Sequence, residues 1–123
     1  MKTFTLEQAN ALIPVVADLL DHVTQARDQL VAASDALQPM LQKAGGNGGS
    51  KAGSEYALLL QHFHALLSTF KEWGVELKGI DEGLVDFPSH RDGRLVYLCW
   101  KRGEERIEFW HDIDSGFAGR QPV

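Results

Sequence analysis

The chain has 123 residues, which is enough for one ordinary domain and too short for two separate cores. Hydrophobic residues make up 44% and charged residues 24%, so the composition excludes a disordered or fibrous protein. Lys and Arg number 12 against 17 Asp and Glu, and this net charge of -5, without a basic run, argues against nucleic-acid binding.

The first predicted element is a helix that begins at Thr5. Thr5 and Gln8 form a capping box, in which the hydroxyl and the amide each reach the other residue's backbone N–H. From Leu12 to Met40, apolar residues recur at alternating spacings of four and three, which is the seam of a coiled coil. Pro14 lacks a backbone donor, so we expect either a kink or a short helix followed by a long one.

A glycine-rich segment, 44–53, follows and predicts a flexible loop, because it offers almost no side chain to bury. A second seam runs from Tyr56 to Trp73 and ends at Gly74, a residue typical of a helix C-cap. Two seamed helices joined by a short loop predict an antiparallel hairpin of long, coiled-coil-like helices. The first helix is longer by ~15 Å at 1.5 Å per residue, and we expect this overhang to find a partner.

The periodicity changes from helical to alternating after Gly74, which predicts an antiparallel sheet. A short strand is expected at 75–78, and further strands flank two predicted turns. The Asp-Gly pair at 92–93 is a strong hairpin turn, since both positions favour positive φ, and the Arg-Gly pair at 102–103 is a weaker one.

Counting outward from the two turns predicts the register of the sheet. Phe87 should lie opposite Leu98, and Leu98 opposite Ile107, if both turns are tight. Both counts place the same apolar residues on one face: Val85, Phe87, Val96, Leu98, Trp100, Ile107 and Phe109. This face should cover the helices.

These elements predict an α+β fold in a single domain over 1–123. An antiparallel helical hairpin, about 5–74, packs on a small C-terminal antiparallel sheet of three to four strands. The sheet and an ordered tail occupy about 75–123. In the tail, we expect Phe117 to be held by burial and Arg120 to act as a latch or to reach a carboxylate of the sheet.

The outer face of the predicted sheet mixes aromatic and charged side chains, which is typical of binding surfaces. By the predicted register, Asp86, Cys99 and Arg106 form one row, with Tyr97 and Trp110 in the rows beyond. The tail or the first strand could instead cover this face, or a dimer could bury it. The candidate ligand- or partner-binding residues on this face and in the tail are Asp86, Tyr97, Arg106, Glu108, Trp110 and Arg120.

Each catalytic or metal interpretation of this face has a simpler structural alternative. Asp86 and Arg106 can form an exposed ion pair across Cys99, worth ~1 kcal/mol or less. Cys99 itself can be an inert buried thiol instead of a nucleophile. Asp86, His90 and His111 could hold a divalent ion, but the predicted register puts His111 on the core side. We therefore expect no catalytic residue, no metal ion and no cofactor.

Several motifs of this chain are distinctive: FTLEQANALIP at 4–14, GLVDFP at 83–88, VYLCW at 96–100, WH at 110–111, GF at 116–117 and GRQP at 119–122. They resemble motifs of a family of small prokaryotic proteins known as domain of unknown function 2203. The resemblance extends over nearly the whole chain apart from the glycine-rich segment. It implies a small cytosolic domain, and because the family has no established activity, it implies no catalytic residue.

The sequence also predicts where the protein is found. No apolar run approaches the roughly 20 residues that cross a bilayer, and the first residues do not form a signal-peptide core. The single cysteine, Cys99, excludes an internal disulfide and a cysteine-rich zinc site. We expect a cytoplasmic protein with no membrane contact.

Two functions remain open. The preferred hypothesis is a self-associating interaction module, a dimer formed through the long helix that presents the aromatic-polar sheet face to a partner. The alternative is a small ligand-binding protein or enzyme with a pocket between the outer sheet face and the C-terminal tail. The first predicts a dimer in solution, and the second predicts a concave pocket lined by the candidate residues.

Overall fold

The fold is described from a computed structural model of the protein. The structure describes residues 2–44 and 50–123, and the side chains of 2–39 and 51–123. Two helices come first: α1 (Leu6–Ala44) and α2 (Ser50–Trp73). The strands that follow are β1 (Glu76–Gly79), β2 (Leu84–Arg91), β3 (Arg94–Lys101), β4 (Phe109–Asp112) and β5 (Gln121–Pro122).

The predicted α+β fold, a helical hairpin with a C-terminal antiparallel sheet, is confirmed. The strands pair in sequence order, and each neighbouring pair is antiparallel. Over the described residues the sheet has five strands instead of three to four, because the end of the tail pairs with β4. Neither α1 nor α2, as far as they are described, combines the length and apolar character of a membrane-crossing helix.

The glycine-rich segment differs from the prediction at its C-terminal end. Residues 50–53 belong to the first turn of α2 and are not loop. Residues 45–49 lie outside the described part of the chain.

The start of α1 has the predicted capping box. The Thr5 N–H donates to Gln8 Oε1 (2.9 Å), and the Gln8 N–H donates to Thr5 Oγ1 (3.1 Å). The helix then continues through Pro14, so the alternative of a separate short helix is wrong. Because Pro14 lies on the exposed side of α1, water can satisfy the carbonyl that loses its donor.

The hydrophobic core lies between the helices and the inner face of the sheet. On α1 it includes Ala9, Ile13, Val16 and Leu20, all in the N-terminal half of the helix. This half of the longer helix therefore packs against the sheet of its own chain. The strand residues in the core are Val85, Phe87, Val96, Leu98, Trp100 and Trp110, and Ile107 joins them from the segment before β4.

The hairpin between β2 and β3 has the predicted register. Phe87 lies opposite Leu98, and the turn residues Asp92 and Gly93 have positive φ values of 52° and 79°. This is the backbone conformation that a tight two-residue hairpin requires. Val85, Phe87, Val96, Leu98 and Trp100 of the two strands consequently face the core, as expected.

The register between β3 and β4 differs from the prediction by three residues. Cys99 pairs with Phe109, whereas the predicted partner was Arg106. The predicted turn does form, since the Glu104 N–H donates to the Lys101 carbonyl (3.0 Å), but the next residues leave the ladder. An odd offset moves every later side chain to the opposite face of the sheet.

Residues 104–108 leave the ladder because they pack against α1. The Ile107 N–H donates to Asn10 Oδ1 (2.7 Å), and the Ile107 side chain is buried in the core. The Trp100 indole N–H donates to the Glu104 carbonyl (2.9 Å), which holds the start of the segment. Pairing resumes only at Phe109, so Ile107 reaches the core from outside the sheet.

Candidate functional site

The observed register brings three chemically different side chains together on the outer face of the sheet. Asp86 of β2 pairs with Cys99 of β3, and His111 of β4 pairs with Tyr97, two residues before Cys99. A carboxylate oxygen, the Cys99 Sγ and a ring nitrogen all lie within 4.8 Å of one another. We call Asp86, Cys99 and His111 the buried cluster.

Backbone geometry fixes the orientation of the His111 ring. Its Nδ1 lies 2.8 Å from the Asp112 carbonyl, which can only accept, so Nδ1 carries the proton. Its Nε2 lies 3.0 Å from Asp86 Oδ2, and both of these side chains are only 3% exposed. The Tyr97 ring covers the imidazole, with ring centres 5.5 Å apart. Nε2 is therefore the ring nitrogen that faces the Asp86 carboxyl group inside the buried cluster.

Asp86 is a buried carboxylate with one unsatisfied oxygen. Its Oδ1 is buried without a hydrogen-bond partner in the described part of the chain, and the neighbouring Cys99 thiol is at most a weak donor. Burial raises the pKa of Asp86, and the adjacent His111 opposes that rise only in part. An unsatisfied buried acceptor costs ~1–3 kcal/mol, so the Asp86 carboxyl group destabilises the fold.

Cys99 is a buried thiol, as expected from the sequence. Burial, together with the Asp86 carboxylate, raises the pKa of Cys99 to about 12, although Arg120 acts in the opposite direction. Both ring nitrogens of His111 are already engaged, one by Asp86 and one by a carbonyl. The thiol therefore has no base from this imidazole, and the geometry does not support a cysteine nucleophile.

A cavity of about 140 Å³ opens against the buried cluster, between the outer sheet face and the C-terminal tail. It lies where the alternative hypothesis expects a pocket, but Asp86 alone among the six candidate residues lines it. We call this cavity the tail pocket. Its lining consists of Lys78, Leu84, Asp86, Cys99, His111, Ile113, Gly116 and Phe117.

A larger, open groove of about 1040 Å³ lies around the end of α2 and β1. Arg27, one of the cations that line it, pairs with Asp81 of the same groove (2.7 Å) and with Asp28 (3.0 Å). Among the described residues, the buried side-chain atoms without a hydrogen-bond partner lie outside this groove, whereas the tail pocket is lined by Asp86.

The two candidate aromatic residues, Tyr97 and Trp110, are both buried, and Trp110 lies on the opposite face from that predicted. Trp110 lies opposite Leu98 and belongs to the core, because the register offset turns it inward. Tyr97 does lie on the outer face, but it is only 7% exposed. The predicted exposed aromatic surface is therefore wrong, since neither ring is available to a partner in this chain.

Arg106 and Glu108 lie in the segment before β4, where they contact each other. Arg106 Nε is 3.5 Å from Glu108 Oε1, and both side chains are largely exposed. The predicted pair between Asp86 and Arg106 is wrong, because the offset separates them and gives Asp86 to His111.

Arg120 holds the tail against β3. Its Nη2 donates to the Cys99 carbonyl (3.2 Å) and to both carboxylate oxygens of Glu104 (2.8 and 2.9 Å). Its guanidinium also lies 4.2 Å from the ring centre of Phe109 and 4.8 Å from that of Phe117. The latch interpretation is supported, but Glu104 is the partner instead of an outer-face carboxylate, and Phe117 is exposed instead of buried.

The sequence alone does not predict that Cys99 and His111 share a site. A divalent ion bound by Asp86, His90 and His111 was not expected, because the predicted register places His111 on the core side of the sheet. His90 is in fact exposed, and Cys99 takes the third position. The signal that could have found the site is the WH pair at 110–111, where two adjacent residues must face opposite sides of the sheet.

The fold and the site define a small α+β protein in which a buried Asp–His–Cys cluster lies under the C-terminal tail. The chain belongs to the family described as "Uncharacterized conserved protein (DUF2203)", whose model matches residues 2–123. This confirms the resemblance seen in the sequence motifs. No curated protein and no solved structure matches the chain.

Proposed function

We propose that the protein binds a small ligand in the tail pocket and that Asp86 anchors this ligand. The observation that carries the proposal is Asp86 Oδ1, which is buried at the pocket without a hydrogen-bond partner over residues 2–44 and 50–123. Buried acceptors in folded proteins are almost always satisfied, so an exception at a pocket points to a missing partner. That partner must be a donor or a cation, because a carboxylate oxygen accepts.

The shape of the pocket limits the ligand to a few heavy atoms or an ion. A cavity of about 140 Å³ holds several waters, since one water needs only ~10–15 Å³ of such space, and it therefore suits a small ligand or an ion. Leu84, Ile113 and Phe117 provide an apolar wall opposite the buried cluster. Lys78 lies at the same pocket but is engaged by Glu76 (3.0 Å), so it adds little free positive charge.

A matched pair of probes tests the proposal in the metal-free protein. Acetamidine and acetate have the same size and shape, but acetamidine donates hydrogen bonds and is cationic, whereas acetate accepts and is anionic. We expect acetamidine, and not acetate, to shift the backbone amide resonances around Asp86 and His111 in a two-dimensional NMR titration. Asp86→Asn should abolish the shifts, and Asp114→Asn, which changes an exposed carboxylate of the tail, should preserve them. Equal effects of the two probes, or none, would contradict the proposal.

Self-association is a second candidate, supported by the outer half of the helical hairpin. The core cluster of the described residues reaches only Val23 on α1 and Phe63 on α2, and more distal contacts of α1 with the C-terminal half, such as that of Arg27 with Asp81, are polar. Leu58 on this part of α2 is 66% exposed. A second copy of the chain could cover this surface and form a four-helix arrangement, which is a common way to bury such faces.

Light scattering coupled to size-exclusion chromatography tests this second candidate. The wild-type chain should have the mass of a dimer, and Leu58→Glu should shift it to a monomer. Lys71→Gln, an equal charge change at the exposed sheet end of the same helix, should leave the dimer intact. A wild-type monomer at all accessible concentrations would exclude the dimer.

The proposal also includes a cytoplasmic location. The sole cysteine is a free thiol, which is ordinary for proteins of reducing compartments. A ligand site that uses this thiol would need it to stay reduced.

A further inference from the structure

We infer that Asp86, Cys99 and His111 form a zinc site whose fourth coordination position opens into the tail pocket. The inference rests on the proposed function, because it identifies the cation that Asp86 anchors. Three observations support it: the set of donors, the orientation of His111, and the unsatisfied oxygen of Asp86.

The donors are suitable in kind and in spacing. A carboxylate, a thiolate and an imidazole are the three side-chain types that bind zinc, with bond lengths of about 2.0–2.3 Å. Tetrahedral geometry with such bonds separates the ligand atoms by about 3.3–3.8 Å. In the protein a carboxylate oxygen of Asp86, the Cys99 Sγ and a ring nitrogen of His111 lie within 4.8 Å of one another. Small side-chain rotations would therefore bring all three to a common ion.

His111 has the orientation expected of a metal ligand. Histidines that bind metals usually donate the other ring N–H to a carbonyl or carboxylate, which fixes the tautomer. Here Nδ1 donates to the Asp112 carbonyl (2.8 Å), so Nε2 is left to face the cluster. His111 also pairs with Tyr97 across the strands, and the contact between the Tyr97 and His111 rings further restricts the orientation of the imidazole.

The charge balance favours a divalent cation at this depth. Buried charges are tolerated when they are paired or bound to metal. Asp86 and Cys99, both deprotonated, would neutralise the two positive charges of zinc, and the cation would satisfy Oδ1. A single thiolate with one imidazole and one carboxylate favours zinc over magnesium or calcium, which bind six or more oxygen ligands.

The tail pocket completes the site. Zinc sites with three protein ligands keep a fourth position for water or a small molecule, whereas closed structural sites use four. In this part of the chain the space beyond the cluster is the cavity of about 140 Å³, bounded by Leu84 and Phe117. A water or a small anion on the ion would fit there.

Cobalt titration of the chelator-treated protein tests the site, because Co²⁺ takes zinc positions and reports its ligands by absorption. The wild-type protein should develop visible bands of tetrahedral cobalt and a near-ultraviolet thiolate-to-cobalt band, both saturating at one equivalent. One equivalent of Zn²⁺ should remove both, since zinc binds the same site more tightly.

Three variants and one control assign the ligands. Cys99→Ser, a nearly isosteric change, should abolish the thiolate band while the circular dichroism spectrum stays native. Asp86→Asn and His111→Gln should weaken zinc binding by more than the roughly 10–100-fold expected for groups that only orient a ligand. His90→Gln, an exposed histidine on β2, should bind like wild type. No one-equivalent spectrum in the wild type, or a thiolate band that persists in Cys99→Ser, would overturn the inference.

The two proposals fail in different ways. Acetamidine shifts without cobalt or zinc binding would overturn the zinc inference and leave the pocket proposal standing. Loss of both responses would overturn both.

Discussion

At the scale of single residues, the buried cluster contains two acidic groups, Asp86 and Cys99, whose charged forms are disfavoured by burial. Asp86 has a raised pKa and an unsatisfied oxygen, and the Cys99 pKa is raised to about 12 by burial. Functional sites commonly retain such destabilising groups. The stability of the metal-free protein should therefore respond to the charge of Asp86 in a specific direction.

Asp86→Asn should remove a pH dependence from the stability of the metal-free protein. Because the folded state raises the pKa of Asp86, it binds this proton more tightly than the unfolded chain does. Wild-type stability is therefore expected to fall as the pH rises from the ordinary aspartate pKa through the raised one. Asp86→Asn should lack this fall and be at least as stable at neutral pH, as measured by urea unfolding across a pH series. A less stable variant with an unchanged slope would contradict the assignment.

The Cys99 thiol should react very slowly in the native metal-free protein. A pKa of about 12 instead of 9.0 lowers the thiolate fraction by about a thousandfold at mildly alkaline pH. A thiol-exchange reagent should therefore label Cys99 at a rate set by unfolding, and denaturant should restore fast labelling. Rapid labelling without denaturant would show that the thiol is accessible and ionised.

At the scale of secondary-structure elements, the success of the sequence prediction depended on how locally each feature is determined. The capping box at Thr5 and the tight turn at 92–93 involve neighbouring residues, and both formed as predicted. The turn at 102–103 also formed, but the strand beyond it did not, because Ile107 is drawn to Asn10 on α1. That contact joins residues far apart in sequence, so counting from a turn cannot reveal it.

This one contact also hid the candidate site. An offset of three residues exchanged the faces of Trp110 and His111, so an aromatic surface was predicted where the buried cluster lies. Asp86 was recognised because its strand belongs to the correctly predicted hairpin. Cys99 was also predicted on the correct face, but its partner on the next strand was predicted as Arg106 and is Phe109.

Asn10→Ala should test the contact that sets this register. It removes the acceptor of the Ile107 N–H and leaves that donor without its partner, which costs about 1–3 kcal/mol in a buried setting. The free energy of unfolding, from denaturant titration, should fall by that amount. Asn10→Asp, which keeps an oxygen at the same position, should lose less. Equal losses in the two variants would show that the hydrogen bond is unimportant.

At the scale of the whole molecule, the C-terminal third builds both the inner core and the outer site from one sheet. The inner face of this sheet covers the N-terminal half of α1. The outer face carries the buried cluster under the C-terminal tail, which Arg120 holds in place. The ligands come from β2, β3 and β4, so an ion bound there would link three neighbouring strands. Binding of this kind stabilises the folded state in proportion to the logarithm of ligand excess.

X-ray absorption at the zinc edge of the loaded protein measures the ligand set of the proposed site. The expected spectrum has four ligands: one sulfur at about 2.3 Å and three nitrogen or oxygen atoms at about 2.0–2.1 Å. The sulfur should be absent from the spectrum of Cys99→Ser. A shell of oxygen and nitrogen alone in the wild type, or more than one sulfur, would contradict a site built from Asp86, Cys99 and His111.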